Sequence, residues 1–343
     1  MRRLCLFASV LAACSAEPGT TDTGTGTEGS SGMAEGTGST GGSSGAEPTS
    51  VGPTTVEPTT EPTTGPGETG ATTAVGDDTS GTAGTAETGD TSTGEPVGGG
   101  CGQDPGPDGE QTVMVQGAER KYIVSLPADY DANKQYPLVF AWHGRGGDGA
   151  LAKLYFKVEE ASAGAAIFVY PFGLPLADMQ NQTGWDLDPN NEDFEFFDTM
   201  LADLGERLCI DPARVFSTGH SFGGYMSNQI GCFRGGTVRA IGLVAGGGPY
   251  VPPCVGNVAA WLAHGTLDAV VPYSEGTDSH AYWSGANNCA GPGDPVDPAP
   301  CVADDGCDAD YPVVWCSHDE PVFDGHGWPS WAGAGIWGFF AQF

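Results

Sequence analysis

Arg214-Val215-Phe216-Ser217-Thr218-Gly219-His220-Ser221-Phe222-Gly223 is the stretch whose reading decides the fold. An apolar run able to form a strand ends in Gly-x-Ser-x-Gly, and Gly224-Tyr225-Met226-Ser227-Asn228-Gln229-Ile230 can continue as a helix. The flanking glycines suit a turn too tight for side chains, in which a serine hydroxyl projects above a sheet while the next helix begins beneath it. The bare pentapeptide is weak in a chain where 56 of 343 residues are Gly. The strand before it and the helix after it supply the required setting. The pattern predicts a nucleophile elbow at Ser221 and, with it, a serine hydrolase.

On either side of this stretch, strands and helices alternate. Val113-Met114-Val115 and Tyr122-Ile123-Val124 flank Gly117 as a hairpin, and Pro137 to Trp142 reads as a buried strand broken at His143-Gly144. Leu151, Leu154, Tyr155 and Val158 have helical spacing, Ala166 to Tyr170 reads as a strand, and Phe194, Phe197, Leu201, Leu204 and Leu208 mark a second amphipathic helix. Beyond the elbow, Ala240 to Ala245, Val258 to Ala263 and Tyr311 to Trp315 read as strands, with helices over about Glu275 to Trp283 and around Trp331 to Phe340. A hairpin followed by alternating units implies a mostly parallel sheet with helices on both faces.

Serine at its free pKa is a poor nucleophile, so Ser221 needs a histidine base, and that base needs an acceptor to fix its tautomer. There are six histidines. His143 and His264 close strands in His-Gly, where a backbone turn is expected; His220 lies inside the elbow and is expected to point away; His280 sits on a predicted helix. Of His318 and His326, the latter is favoured, because Asp324-Gly325-His326-Gly327-Trp328-Pro329 is a Gly-flanked loop after the last strand. Asp268, in His264-Gly265-Thr266-Leu267-Asp268 after a strand, fits the Ser, Asp, His chain order as the acid; its other reading is an Asx-turn. The oxyanion needs two backbone donors. Phe222 N–H is one, and the turn His143-Gly144-Arg145-Gly146-Gly147 offers the other, Arg145 first and Gly144 second.

Several ordered blocks together resemble the secreted feruloyl esterase and poly(3-hydroxybutyrate) depolymerase-like family of α/β-hydrolases. They are Pro137 to Gly147, Thr183-Gly184-Trp185-Asp186, Phe196-Phe197-Asp198, Arg214 to Asn228, Ala263 to Asp268 and His326-Gly327-Trp328-Pro329, within a similarity spanning about residues 110 to 343. The resemblance implies an α/β-hydrolase fold and a triad at Ser221, Asp268 and His326. Arg145 departs from it, since many relatives carry a smaller residue or cysteine after His-Gly. That bears on the shape of the acyl pocket and not on the backbone donor.

The remaining sequence organises the chain. Met1-Arg2-Arg3, an apolar stretch and Leu11-Ala12-Ala13-Cys14 read as an export signal with a lipobox-like end, residues 1–14, with Cys14 the expected lipidation site. Residues 15–100 are rich in Gly, Thr, Ser, Pro and Glu, with 13 acidic, no basic and no aromatic residues, the composition of a disordered stalk. As a flexible coil it would span about 50 Å. Residues 101–343 hold all eight Trp and are read as one catalytic domain of charge −21. That charge argues against nucleic acid and polyanionic substrates and for a neutral ester.

Within that domain Cys101, Cys209, Cys232, Cys254, Cys289, Cys301, Cys307 and Cys316 form an even set, read as four disulfides of an exported protein; sequence does not fix the connectivity, and a local Cys301–Cys307 loop with a Cys289–Cys316 bridge is the expectation. No paired C-x-x-C supports zinc, and the acidic cluster Asp304, Asp305, Asp308 and Asp310 lacks a calcium-loop spacing, so neither metal nor cofactor is expected.

The chain is thus expected to be an exported, lipid-anchored bacterial surface esterase, acting on feruloyl or acetyl esters of neutral xylan. A polyhydroxyalkanoate esterase is the alternative. A non-catalytic binding lipoprotein is the reading of another class, and a peptidase of the same fold ranks below these. Trp185, Trp315 and Trp328 are candidates for a sugar-binding cleft, weighed against core packing, and Trp328 with Trp331 for an adsorbing apolar patch.

Overall fold

Continuous apolar runs along the central strands, whose side chains point alternately to either side, build a sheet with two covered faces. The computed structural model describes residues 99–250 and 253–343; the signal, Cys14 and all but the last two residues of the stalk lie outside the described residues. The elements run β1 (Gly109–Val115), β2 (Ala118–Ser125), β3 (Tyr136–Trp142), α1 (Gly149–Tyr155), α2 (Val158–Ser162), β4 (Ile167–Pro171), β5 (Leu174–Leu176), β6 (Gln182–Gly184) and α3 (Glu192–Arg207). They continue with β7 (Ile210–His220), α4 (Phe222–Phe233), β8 (Ala240–Val244), β9 (Ala259–Gly265), α5 (Tyr273–Ala286), β10 (Gly291–Pro295), β11 (Cys301–Asp305), β12 (Val313–His318) and α6 (Ala332–Phe340).

Ten strands form one sheet in the order β1-β2-β4-β3-β7-β8-β9-β12-β11-β10. Neighbours from β4 to β12 in this order are parallel, and β1, β2, β10 and β11 pair antiparallel at the two edges. In β3, Leu138, Phe140 and Trp142 join α3, α4 and α5 in one buried cluster, while Val139 and Ala141 join α1, α2 and α6 in the other. That two-residue period is what a central strand covered on both sides requires. The result is the expected α/β-hydrolase fold, a mostly parallel sheet with helices on both faces.

Three features depart from the sequence reading. The helix expected through Leu151 to Val158 is two short helices, broken where Lys157 takes φ 59°. A small hairpin, β5–β6, forms apart from the main sheet. β10 and β11 extend the sheet where only a Cys-bounded loop was expected.

The disulfides are Cys101–Cys209, Cys232–Cys254, Cys289–Cys307 and Cys301–Cys316, which corrects the expected Cys301–Cys307 and Cys289–Cys316 pairs. Register is the reason. Cys301 and Cys316 stand directly opposite each other in the antiparallel β11–β12 pair, while the Ala290 N–H donates to the Asp305 carbonyl and brings Cys289 beside Cys307. Such bonds fit an oxidising compartment outside the cytosol. Among the described residues, no helix is long and apolar enough to cross a membrane, and no group of three or more His, Cys, Asp or Glu is placed to hold a metal ion.

Candidate active site

Ser221 follows the C-terminal end of β7, Asp268 lies in the loop after β9 and His326 in the loop after β12. The serine follows β7 directly at φ 55° and ψ −121°, strained for a residue with a side chain, and Phe222 begins α4. The Ser221 N–H donates to the Val244 carbonyl at 2.9 Å, tying the turn to β8. Only glycine fits at 223, because a Cβ there would run into the Trp142 carbonyl at the end of β3.

His326 lies between β12 and α6, with Nε2 2.8 Å from Ser221 Oγ and Nδ1 2.8 Å from Asp268 Oδ2. A carboxylate only accepts, so the proton sits on Nδ1 and Nε2 is free to receive the serine O–H. Asp268 also makes the Asx-turn read from its sequence, its Oδ1 accepting the Val270 and Val271 N–H groups, both at 2.8 Å. Both sets of contacts are made at once: one oxygen shapes the loop and the other faces His326. Burial of this carboxyl would raise its pKa, but hydrogen bonds from His264 and His326, the His326 charge and the Val271 N–H outweigh burial and hold it below the usual carboxylate range.

The turn after β3 lies against the elbow. A Cβ on Gly144 would sit 3.4 Å from both Ser221 Cβ and the His220 carbonyl oxygen. The Gly144 carbonyl accepts from Gly147 N–H at 3.0 Å and from His143 Nδ1–H at 2.8 Å. His143 Nε2 accepts the Gly173 N–H at 2.9 Å, which leaves the proton on Nδ1. Because the peptide is planar and trans, pinning that carbonyl turns the Arg145 N–H to the opposite side. Phe222, as the first residue of α4, has no helical acceptor for its N–H. The β5–β6 hairpin seats this turn through Gly146 N–H to the Thr183 carbonyl at 2.8 Å and Thr183 Oγ1 to the Gly147 carbonyl at 2.6 Å.

The other histidines are accounted for. His318 is buried against Trp331, with neither ring nitrogen partnered among the described residues. His280 bonds Asp304 at 2.9 Å and stacks on Trp315. His143 and His264 do more than close turns: His143 pins the Gly144 carbonyl, and His264 Nε2 lies 3.3 Å from Asp268 Oδ2 and 3.1 Å from the Val271 carbonyl. His220 does not merely point away, for it contacts His326 and Tyr155. Each stands at a motif position that sequence singles out, but long-range partners are not written in local spacing. Trp185 is core, its Nε1 donating to the His143 carbonyl, and Trp328 is half-buried and stacks on Phe156. Trp331 lies against Trp261, and the exposed apolar side chains near His326 are instead Leu267, Val322 and Phe323.

No family model matches the chain. Feruloyl esterase D of Neurospora crassa is 33% identical over 241 residues, covering 64% of this chain and 80% of that protein. The chain belongs to the feruloyl esterase family. Feruloyl esterase C of Emericella nidulans is 31% identical over 228 residues, covering 62% of this chain and 80% of that protein. As a member of this family the chain is a carboxylic ester hydrolase, and its substrate is an ester. For the fold, the solved structure of native pOPH matches with a TM-score of 0.50 at 17% identity, covering 69% of this chain and 87% of that one.

Proposed function

We propose that the chain is an exported serine carboxylic ester hydrolase working through an acyl-enzyme on Ser221, with feruloyl or acetyl esters of neutral plant polysaccharide as substrates. The observation that carries the mechanism is the hydrogen-bonded line Ser221 Oγ, His326 and Asp268, with both contacts at 2.8 Å. Ser221 Oγ attacks the ester carbonyl carbon while its proton passes to His326 Nε2, and the carbonyl electron pair moves onto oxygen. Phe222 N–H and Arg145 N–H, with Gly144 N–H as the second choice for the latter, take that oxyanion. Collapse expels the alcohol, which leaves with the proton from Nε2. Water then attacks the acyl group, giving its proton to His326, and Ser221 is released. Asp268 stabilises the imidazolium in both halves.

The names of the curated relatives support a feruloyl substrate, and a domain charge of −21 fits neutral xylan better than an anionic polymer. A polyesterase is the second reading, favoured by exposed Leu267, Val322 and Phe323 beside Asp268 and His326, an apolar rim of the kind that adsorbs a solid. Hydrolysis of methyl ferulate and acetylated xylan, with slow clearing of poly(3-hydroxybutyrate), is the expected pattern for the purified protein. Rapid clearing of the polyester with no ferulate or acetate released reverses the order, and inactivity on all three favours a binding module.

For the rest of the chain we propose export by residues 1–14, a lipid on Cys14 and a Gly/Thr/Ser/Pro/Glu-rich linker over 15–100 between the lipid anchor and the catalytic domain. Cys14→Ala should release the protein from membranes, and unchanged membrane association would contradict the anchor.

A further inference from the structure

We propose that His220 is a positioning residue that braces the base, its ring tying the backbone of His326 to the elbow while Tyr155 fixes the tautomer that makes the tie. This rests on reading Ser221 and His326 as nucleophile and base. His220 Nε2 lies 2.7 Å from the His326 carbonyl oxygen, which only accepts, so the proton is on Nε2. The neutral ring then has a lone pair on Nδ1, and Tyr155 O–H, from α1, donates to it at 3.0 Å. His220 immediately precedes Ser221, so the brace joins the two ends of the 2.8 Å Ser221–His326 contact through the adjoining backbone.

The base loop has reason to need such a tie. Phe323, Asp324 and Gly325 all take positive φ, at 49°, 53° and 86°, and Val322 and Phe323 are exposed. Helix α1 reaches the same loop a second way, through the Tyr155 ring set edge-on to Trp328 at 6.1 Å, while Trp328 lies flat on Phe156 at 4.2 Å. The His220 ring contacts Tyr155 and His326, and the Asp268 and His264 charges act on it from farther away. Burial above all, with His326 next, holds the His220 pKa down at about 3, and burial pushes the Tyr155 hydroxyl up, so the donor and acceptor pattern persists well below neutral pH.

His220→Gln, His220→Asn and Tyr155→Phe separate a brace from mere packing. The Gln amide reaches roughly where Nε2–H stood, and the Asn amide stops near Nδ1. For each, the rate of fluorophosphonate labelling at Ser221 and the kcat and KM for p-nitrophenyl acetate are measured beside thermal unfolding. His220→Asn should label about 30-fold slower, with the same loss in kcat and KM within about twofold, as expected for a displaced base. His220→Gln should return to within about fivefold of wild type, and Tyr155→Phe should lose about three- to fivefold in kcat, the scale of one hydrogen bond. Equal rates for the Asn and Gln variants, a loss in KM rather than kcat, or Tyr155→Phe at the wild-type rate would overturn the brace; the last decides alone if His220→Asn does not fold. Wild type that is not labelled at Ser221 sinks the serine reading and the brace together. Wild type labelled there beside variants of equal rate sinks the brace alone.

Discussion

His264 reaches Asp268 from four residues upstream, placing its Nε2 3.3 Å from the Oδ2 that also faces His326. With two backbone N–H groups on Oδ1, every donor around this carboxylate favours its ionised form. An Asn at 268 would present an N–H where an acceptor is required. Asp268→Asn should therefore lower kcat by about 10²- to 10⁴-fold while the protein stays folded. Steady-state kinetics at several pH values test this, and near wild-type turnover would mean that the acid is elsewhere. Since the folded pKa is depressed, the stability Asp268 contributes is present above the ordinary carboxylate value of about 4 and is lost only as pH falls further, through the folded value.

Two buried neutral histidines make stability fall at mildly acidic pH. His143 is held down at about 4 by burial, against the Gly144 hydrogen bond and Asp148, and His220 at about 3. Both folded values lie below the unfolded value of about 6.5, so their contributions are full above that pH and are lost as pH drops toward the folded values, ~3 kcal/mol for His143. Asp193, whose carboxyl burial pushes up, opposes this from one site. Urea midpoints should be lower at pH 4.5 than at pH 7.5, and equal midpoints would contradict the neutral histidines.

How much of this could be read from sequence follows from range. The elbow was legible because its chemistry is local: an apolar strand, Gly219, Ser221 and Gly223 within a few residues. The structure brings His326 and Asp268 together with Ser221, and sequence pointed to both because each lies in a loop that follows a strand, at the sheet end where Ser221 also lies. The disulfide partners were not, because Cys301 and Cys316 meet through the register of β11 and β12, and the run Cys301-Val302-Ala303-Asp304-Asp305 carries none of the β-branched or aromatic richness that marks a strand. The β5–β6 hairpin escaped for a related reason, having only three residues on each side, and it is held by contacts to Gly146 and Gly147 distant in sequence. His143 looked like a turn residue and His220 like a ring pointing away from the site, since their partners, Gly173, Tyr155 and His326, come from other loops and helices.

The elbow is sterically exacting, at Gly219 against the Gly223 carbonyl and most severely at Gly223. Gly223→Ala should destabilise the protein by about 3 kcal/mol or more, because the added methyl meets the Trp142 carbonyl, backbone that cannot yield like a side chain. Thermal unfolding checks this, and a melting temperature like wild type would show that the turn relaxes.

All eight cysteines of residues 101–343 should be oxidised. Non-reducing peptide mass spectrometry should give Cys101–Cys209, Cys232–Cys254, Cys289–Cys307 and Cys301–Cys316. Cys101–Cys209 spans 108 residues, the longest closure, so its removal should cost the most, about 4 to 5 kcal/mol on the chain-entropy account. Free thiols, or a Cys301–Cys307 peptide, would contradict the pairing.

The central claim is a covalent acyl group on Ser221. Rapid acid quenching of the protein during turnover of methyl ferulate, followed by peptide mass spectrometry, reads it directly. The account predicts a feruloyl ester on the peptide containing Ser221, absent from Ser221→Ala, which should itself be folded and retain less than about a hundredth of the wild-type activity. An acyl group on another residue, or a Ser221→Ala protein that still turns over methyl ferulate at the wild-type rate, would contradict it.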